Sequence, residues 1–346
     1  MLLVVFGAGA SFDSVPSRPP GLGPHFNEEY RPPLANFLFD ERSTFREALE
    51  RFPACQTIVP YLRPASDGAP LNVERVLTEL DEEASQYAER HRQLAAVRFY
   101  LRYGLRHCQQ HWLTGAAGVT NYKTLLDQIR MHLPRYQRVC FVTFNYDTLL
   151  EHALNGIGRQ FDTIDHYVVD PTLSVIKIHG SVDWWRRVRS QAPWQMNADP
   201  TSIANEVIAR AHLLEISSEY VVDRADFVAG WPQEPPMYPA IAIPLERKRD
   251  FECPDTHIRV LQDALPHVRR ILFIGWRAND VPFLDLIRPS LAGRQVDAYV
   301  VAAGNNETRD VVNRLKEAGV AIANFFLDGG FSEFVRRREV ESFLRA

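Results

Sequence analysis

Four short motifs carry residue types that suit a ligand containing phosphate and sugar. They are GAGAS at 7–11, FNYD at 144–147, HGS at 179–181 and a glycine turn at 275–276. Small residues let the backbone turn tightly and aim its N–H groups at phosphates. The amide in FNYD could fix a sugar hydroxyl or a water, and the imidazole in HGS suits a general base near neutral pH.

Each polar residue of these motifs also has a structural alternative. Asp147 stands directly before a helical pattern and would serve equally well as a helix N-cap. Asn145 could stabilise its own turn, His179 could be a structural histidine, and Ser181 could cap an element or touch phosphate. GAGAS lacks the full GxGxxG spacing, because Phe12 stands at the last glycine position, so a plain strand-to-helix connection is also possible.

Other conspicuous residues are better explained by packing, capping or solvation. Trp184 and Trp185 are expected to pack in the core or beneath a lid, and Asp280 is expected to cap the helix that follows it. The arginines at 186–187, 269–270 and 336–338 are expected to be solvated. The segment 12–33, rich in proline and glycine, would either cover a ligand or form a surface connection.

The elements that must position the motifs are short apolar strands. Each motif follows one of the β-prone runs 2–6, 139–143, 174–178 and 271–274, and a fifth run, 296–302, ends in Gly304-Asn305. Such continuous runs are typical of strands buried on both faces of a parallel sheet. Further short strands are expected at 240–243 and 320–323, and helices over 72–112, 121–133, 148–154, 199–216, 308–318 and 331–345. We therefore predict an α/β fold with a Rossmann-like, doubly wound parallel sheet, which gathers the strand ends at one edge.

Composition limits the class of protein. The 346 residues are 46% hydrophobic and 24% charged, as in ordinary globular proteins, and the net charge of −4 gives no electrostatic case for a nucleic-acid partner. No apolar run approaches the roughly 20 residues that span a bilayer, and no secretory signal pattern is present. The cysteines form no CxxC pair, so we expect neither a metal site nor disulfides. Cysteines without disulfides indicate a reduced compartment, so we expect a cytoplasmic location. The cysteines are Cys55, Cys108, Cys140 and Cys253.

The four motifs, taken in their order along the chain, resemble the sirtuin fold. More closely, they resemble a bacterial sirtuin-like family often found in anti-phage defence. The resemblance covers roughly the sheet-forming parts of the sequence. We therefore expect a single sirtuin-like domain over 1–346, with a Rossmann-like core at 1–13, 139–185 and 270–330, a helical insertion at 14–138 and an accessory segment at 186–269.

The resemblance implies that NAD is the substrate and assigns roles to individual residues. Asn145 and His179 would be catalytic: Asn145 lies near the nicotinamide ribose and positions the attacking species, whereas His179 has a ribose hydroxyl as its partner. Asp147 would help to seat the nicotinamide, and GAGAS would cradle the pyrophosphate. The NAD-contacting set is expected to comprise Gly7, Ala8, Gly9, Ala10, Ser11, Asp13, Phe144, Asp147, Gly275, Trp276, Gly304 and Asn305.

Two departures from the deacylating sirtuins favour water as the acceptor. Those enzymes carry two CxxC pairs in a zinc module that frames the acyl-lysine groove, and a GIPDFR loop after the glycine turn. This chain has neither, and FDSVP stands at 12–16. We therefore expect an NAD glycohydrolase that needs no metal. The alternatives are a catalytically silent NAD or ADP-ribose sensor or scaffold, and an NAD-dependent protein deacylase or ADP-ribosyltransferase.

A defence effector that depletes NAD must be held inactive in healthy cells. The resemblance therefore implies a homo-oligomer or a regulatory partner, such as an ATPase or an Argonaute-like protein. The basic C-terminal helix and the helices at 72–112 are the expected interfaces. No direct contact with nucleic acid or with a membrane is expected.

Overall fold

Ten strands and thirteen α-helices make up the part of the chain that the computed structural model describes. That part comprises residues 1–15, 23–63, 73–134, 137–189, 193–194, 199–224, 236–245, 251–322, 325–327 and 329–345. The strands are β1 Leu2–Phe6, β2 Val139–Thr143, β3 Leu173–Lys177, β4 Gly180–Arg189, β5 Glu215–Val222, β6 Met237–Ile241, β7 Arg270–Ile274, β8 Gln295–Val301, β9 Ala321–Ile322 and β10 Phe325–Leu327. The helices are α1 Ala8–Phe12, α2 Pro24–Tyr30, α3 Ser43–Arg51, α4 Val73–Ala84, α5 Ala88–Gly115, α6 Asn121–His132, α7 Leu149–Asn155, α8 Pro200–Ala209, α9 Asp255–Ala264, α10 Val281–Leu291, α11 Asn305–Glu317, α12 Gly330–Arg336 and α13 Glu339–Arg345. Short 3-10 helices are found at Ala35–Phe37, Pro53–Cys55, Val59–Leu62, Asp165–Tyr167, Ala211–Leu213 and Leu265–His267.

Seven of these strands form one parallel sheet. Their order is β3-β2-β1-β7-β8-β10, and β9 also pairs with β8. Leu2 of β1 lies opposite Val139 on one side and Arg270 on the other. The strand order reverses at β1, and a doubly wound sheet binds its ligands at the carboxyl ends of the strands beside such a reversal.

Helices cover both faces of this sheet. Leu2, Val4 and Phe6 pack into an apolar cluster with α6, α7, α12 and α13. The alternate residues of β1, Leu3 and Val5, pack on the other face with α9, α10 and α11. Burial on both faces explains why the strands have no polar alternation. The predicted α/β fold with a Rossmann-like, doubly wound parallel sheet is therefore confirmed.

A third apolar cluster defines what we call the second lobe. It joins the antiparallel sheet β5-β4-β6 to helices α3, α4, α5 and α8. This grouping cuts across the expected boundaries at 14–138 and 186–269, because α6 and α9 pack on the parallel sheet and not in the second lobe. The two segments therefore fold together for most of their described length.

Two predicted helices are interrupted. The pattern over 72–112 forms α4 and α5, which are separated at Tyr87, whose backbone is extended (φ −127°, ψ 114°). The pattern over 331–345 forms α12 and α13, which are separated at Arg338, where φ is +57°. The apolar periodicity continues across both breaks, so periodicity alone did not reveal them.

Two strands of the second lobe were missed by the sequence prediction. β4 is buried on both sides over most of its length and shows no alternation, and the predicted helix at 199–216 ends at Ala209, so that β5 follows. Residues 16–22 of the segment 12–33, residue 72 and residue 323 lie outside the described residues. None of the helices in the described ranges combines the length and the apolar character needed to span a bilayer.

Candidate functional site

The turn after β1 packs directly on the turn after β7. Gly7 donates its N–H to the Ile274 carbonyl and Gly9 donates to the Gly275 carbonyl, both at 3.0 Å. A Cβ atom at Gly275, where φ is +60°, would lie 2.2 Å from the nitrogen of Ala10. The glycines therefore allow two strand ends to meet where the strand order reverses. The Ala10 N–H is also bonded, to the Gly7 carbonyl at 2.9 Å. Contact of the GAGAS residues with a pyrophosphate stays a prediction.

The Asn145 side chain connects the end of β2 to this turn. It is 6% exposed. Its Nδ2 lies 3.0 Å from the Gly7 carbonyl oxygen, 2.8 Å from Ser11 Oγ and 3.1 Å from the Tyr122 hydroxyl oxygen. Because a carbonyl oxygen only accepts hydrogen bonds, the amide nitrogen must face the turn. The hydroxyls of Ser11 and Tyr122 also lie 3.0 Å apart, so the three side chains form a closed network.

The other end of the same amide has no partner. Asn145 Oδ1 is buried and forms no hydrogen bond with any described residue. Leaving a buried polar atom unsatisfied costs about 1–3 kcal/mol. The fold thus holds a fixed acceptor at the end of β2, which a sugar hydroxyl or a water could satisfy.

His179, at the end of β3, contacts a residue that lies 101 positions further along the chain. Its Nε2 is 3.0 Å from Asp280 Oδ2, and the two side chains are 12% and 9% exposed. The second carboxylate oxygen of Asp280 accepts the Phe283 N–H at 3.0 Å. The expected N-cap of α10 is therefore confirmed, and the contact with His179 is additional to it.

An aromatic layer lies beside His179. The rings of Phe144 and Trp276 stack with centroids 5.2 Å apart, and Phe144 also meets the His179 ring edge-on at 5.0 Å. Phe273 stacks on Trp276 at 5.5 Å. Phe144 and Trp276, which were predicted as ligand contacts, are 8% and 6% exposed and are mainly engaged with these neighbours.

The turn that holds Asp147 is fixed by a buried ion pair. Asp147 Oδ1 accepts the Leu149 N–H at 3.1 Å. The N-cap residue of α7 is Thr148, so Asp147 lies one position before the cap. The Asp147 carbonyl accepts a hydrogen bond from Lys177 Nζ at 2.6 Å, and this ammonium also lies 3.0 Å from Glu151 Oε1. Burial raises the pKa of Glu151, while Lys177 opposes the rise.

The remaining predicted contacts lie at helix ends. The Asp13 carboxylate accepts the Ser332 N–H at 2.8 Å and so serves the first turn of α12. Gly304 is the N-cap residue of α11, and Asn305 is its first residue. Contact of these residues with NAD stays a prediction.

Three residues of the motif region have a structural role in the fold. Trp184 and Trp185 are fully buried, as expected for core packing. Ser181 is fully buried as well, and its hydroxyl donates to the Tyr146 carbonyl at 3.4 Å. The described residues include no group of three or more His, Cys, Asp or Glu side chains that could hold a metal ion.

Two residues of this site were missed from the sequence. Tyr122 belongs to the apolar stripe of α6, and nothing in that pattern distinguishes its hydroxyl from a core aromatic. Lys177 did carry a signal: a lysine inside an otherwise apolar strand requires a buried partner, which proves to be Glu151.

The strand order and the reversal at β1 define a Rossmann-type α/β protein. Proteins of this class bind their ligands at the carboxyl ends of the strands, where the polar motifs of this chain lie. The chain belongs to the SIR2-like domain family, whose model matches residues 139–322. The matched part contains FNYD, HGS and the glycine turns after β7 and β8, whereas GAGAS lies outside it. The sirtuin-like resemblance of the motifs is thereby supported.

Solved sirtuin structures are similar to the chain at low sequence identity. For Sir2Tm bound to a propionylated peptide, the identity is 13%, the TM-score is 0.42, and 99% of this chain and 94% of that chain are covered. For a complex of Sir2 with a p53 peptide and NAD+, the identity is 14% and the TM-score 0.39, with the same coverage of 99% and 94%. No curated protein matches the chain.

Proposed function

We propose that the protein is an NAD glycohydrolase, which cleaves NAD to nicotinamide and ADP-ribose. The observation that carries the proposal is the meeting of strand ends where the strand order reverses. There, the Asn145 amide is bonded to the turn after β1, and the adjacent strand supplies His179. Membership of the SIR2-like domain family favours NAD chemistry of the sirtuin type.

The proposed reaction breaks one bond and forms one. The bond between C1′ of the ribose and the nicotinamide nitrogen breaks, and its electron pair leaves with nicotinamide, so the sugar becomes oxocarbenium-like. A water attacks C1′ and gives up a proton to His179, which passes it to solvent. Asn145 Oδ1, the buried acceptor, would hold a ribose hydroxyl or orient this water. Since nicotinamide is a good leaving group, positioning and the exclusion of bulk water are the main tasks.

Water is the favoured acceptor because the features of a peptide groove are missing from the sequence. There is no CxxC pair and no GIPDFR loop. The segments between the sheet strands instead build the second lobe, in which α5 packs against β4 and β6.

Incubation of the purified chain with NAD, followed by quantification of nicotinamide, tests the proposal. Asn145→Ala and His179→Ala should each lower the rate by roughly 10²-fold or more. His91→Ala changes an exposed histidine of α5 and should keep the wild-type rate. A wild-type rate of nicotinamide release in both site variants would refute the assignment of the site.

Loss of the Asn145 side chain also removes the donor to Gly7, Ser11 and Tyr122. Thermal unfolding of each variant must therefore accompany the rate, so that inactivity is assigned to the site only when the fold is intact. NAD binding measured by calorimetry separates failed binding from failed cleavage.

The alternative functions give different results in the same assay. NAD that binds but releases no nicotinamide under any condition, including changed protein concentration and added partner, points to a sensor or scaffold. Nicotinamide release that requires an acylated peptide or an acceptor protein points to a deacylase or an ADP-ribosyltransferase.

We also propose that the activity serves anti-phage defence and is controlled by assembly. A homo-oligomer, or a partner such as an ATPase or Argonaute-like protein, would keep the NADase inactive until infection. The rate per chain should then change with protein concentration or on addition of the partner. A rate per chain that is constant under both conditions contradicts control by assembly.

A further inference from the structure

The two carboxylate oxygens of Asp280 serve two different groups. One accepts the Phe283 N–H at the start of α10, and the other lies 3.0 Å from His179 Nε2. Both Asp280 and His179 are largely buried, so solvent screens their interaction only weakly. Anchoring by the helix fixes the carboxylate, and the carboxylate in turn fixes the imidazole.

The backbone that leads to Asp280 has an unusual conformation. Gly275 and Ala278 are both left-handed, with φ of +60° and +55°. Ala278 is 1% exposed and is not a glycine, so its conformation costs roughly 1–2 kcal/mol. The surrounding apolar cluster, which includes Phe283, holds the turn in this conformation.

We propose that Asp280 is a positioning residue for His179 and selects the tautomer in which Nε2 carries the hydrogen. A carboxylate only accepts hydrogen bonds, so the imidazole nitrogen that faces it must be the donor. In the neutral ring, the lone pair then belongs to Nδ1, which is the atom able to accept a proton. The contact joins the end of β3 to the start of α10, the helix that follows β7.

The role in catalysis rests on the proposed function. The proton of the water that attacks C1′ moves to His179 Nδ1, while Nε2 keeps its hydrogen and donates to Asp280. The imidazolium formed in this step is stabilised by the carboxylate, and Nδ1 then releases the proton to solvent. Asp280 itself takes up no proton.

Asp280→Asn is the informative variant, because asparagine is as good an N-cap as aspartate. Its amide oxygen would accept the Phe283 N–H, and its NH2 group would face His179 Nε2 and impose the opposite tautomer. We expect kcat to fall roughly 10²–10⁴-fold, with little change in KM. Asp285→Asn makes the same chemical change at an exposed position of α10 and should leave both constants unchanged.

The tautomer is measured directly by NMR of protein with ¹⁵N-labelled histidine at alkaline pH, with His179→Gln used to assign the signals. The proposal expects Nε2–H in the wild type and Nδ1–H in Asp280→Asn. Nδ1–H in the wild type overturns it, and so does an active wild type whose Asp280→Asn variant keeps the full kcat. If the wild type releases no nicotinamide under any condition, including changed protein concentration and added partner, the proposed function fails, while the NMR result still decides the role of Asp280.

Discussion

Gly275→Ala should destabilise the protein strongly, because a side chain at this position meets backbone and not a movable group. The new Cβ would lie 2.2 Å from the nitrogen of Ala10 and 2.4 Å from the carbonyl carbon of Gly9. The left-handed backbone at 275 adds about 1–2 kcal/mol for any residue with a Cβ. Overpacking against the GAGAS turn adds about 1–3 kcal/mol.

Gly293→Ala is the matched control. Gly293 has a similar φ of +73°, but a Cβ there would have no atom within 4 Å. Both variants change the unfolded chain in the same way, so the difference between them isolates the clash. Urea unfolding followed by circular dichroism should give a free energy of unfolding that is about 1–3 kcal/mol lower for Gly275→Ala than for Gly293→Ala. Equal losses in the two variants would refute the argument that the turns after β1 and β7 are packed backbone to backbone.

Three further predictions concern other parts of the molecule. Tyr122→Phe removes one hydroxyl from the Asn145 network and should lower the free energy of unfolding by about 0.5–1.5 kcal/mol in urea titrations. Lys177→Met leaves the Glu151 carboxylate buried without its cation and should lower the free energy of unfolding by about 3–5 kcal/mol. The double variant that combines Lys177→Met with Glu151→Gln should regain much of this loss. Burial lowers the pKa of His257 from 6.5 to about 4, so its contribution to stability is present above pH 6.5 and is lost as the pH falls toward 4. Unfolding free energies at several pH values should therefore fall less steeply in this range for His257→Gln than for the wild type.

Each of these three predictions has a clear contrary outcome. A Tyr122→Phe protein as stable as the wild type would show that the hydroxyl contributes nothing to the network. A double variant at 177 and 151 no more stable than Lys177→Met would show that the unpaired charge is not the cause of the loss. If the free energy of unfolding changes equally with pH in His257→Gln and in the wild type, His257 is not the cause of the loss of stability in acid.

The parallel sheet could be predicted because each of its main strands is a short apolar run that can be recognised from its own residues. Two of these strands, Leu2–Phe6 and Val139–Thr143, are buried at every position. A short, continuous apolar run in the sequence is enough to predict a strand of this kind. β4 could not be identified in the same way, because Asp183 and the arginines at 186, 187 and 189 interrupt its apolar character. Its position depends on pairing with β5 and β6, which are formed by distant parts of the sequence.

The strand-end motifs identified the region of the site but not its contacts. Asn145 was singled out by its place after a strand, yet its partner Tyr122 comes from a helix whose pattern indicates only core packing. Asp280 was predicted as an N-cap, which is a local property, whereas its contact with His179 depends on the sheet bringing together residues 101 positions apart. Local chemistry was therefore accessible from the sequence, and contacts set by the chain's topology were not.

The position of β1 in the sheet has a consequence for synthesis of the protein. This strand is synthesised before its two neighbours, which begin at Val139 and Arg270. At about 5–20 residues per second, the second neighbour follows roughly 13–54 s later. During that time, the five apolar residues of β1 lack one edge partner, so the nascent chain carries an aggregation-prone segment. Production of this protein should therefore depend on chaperones that shield the nascent chain around β1 more than on those that act after release.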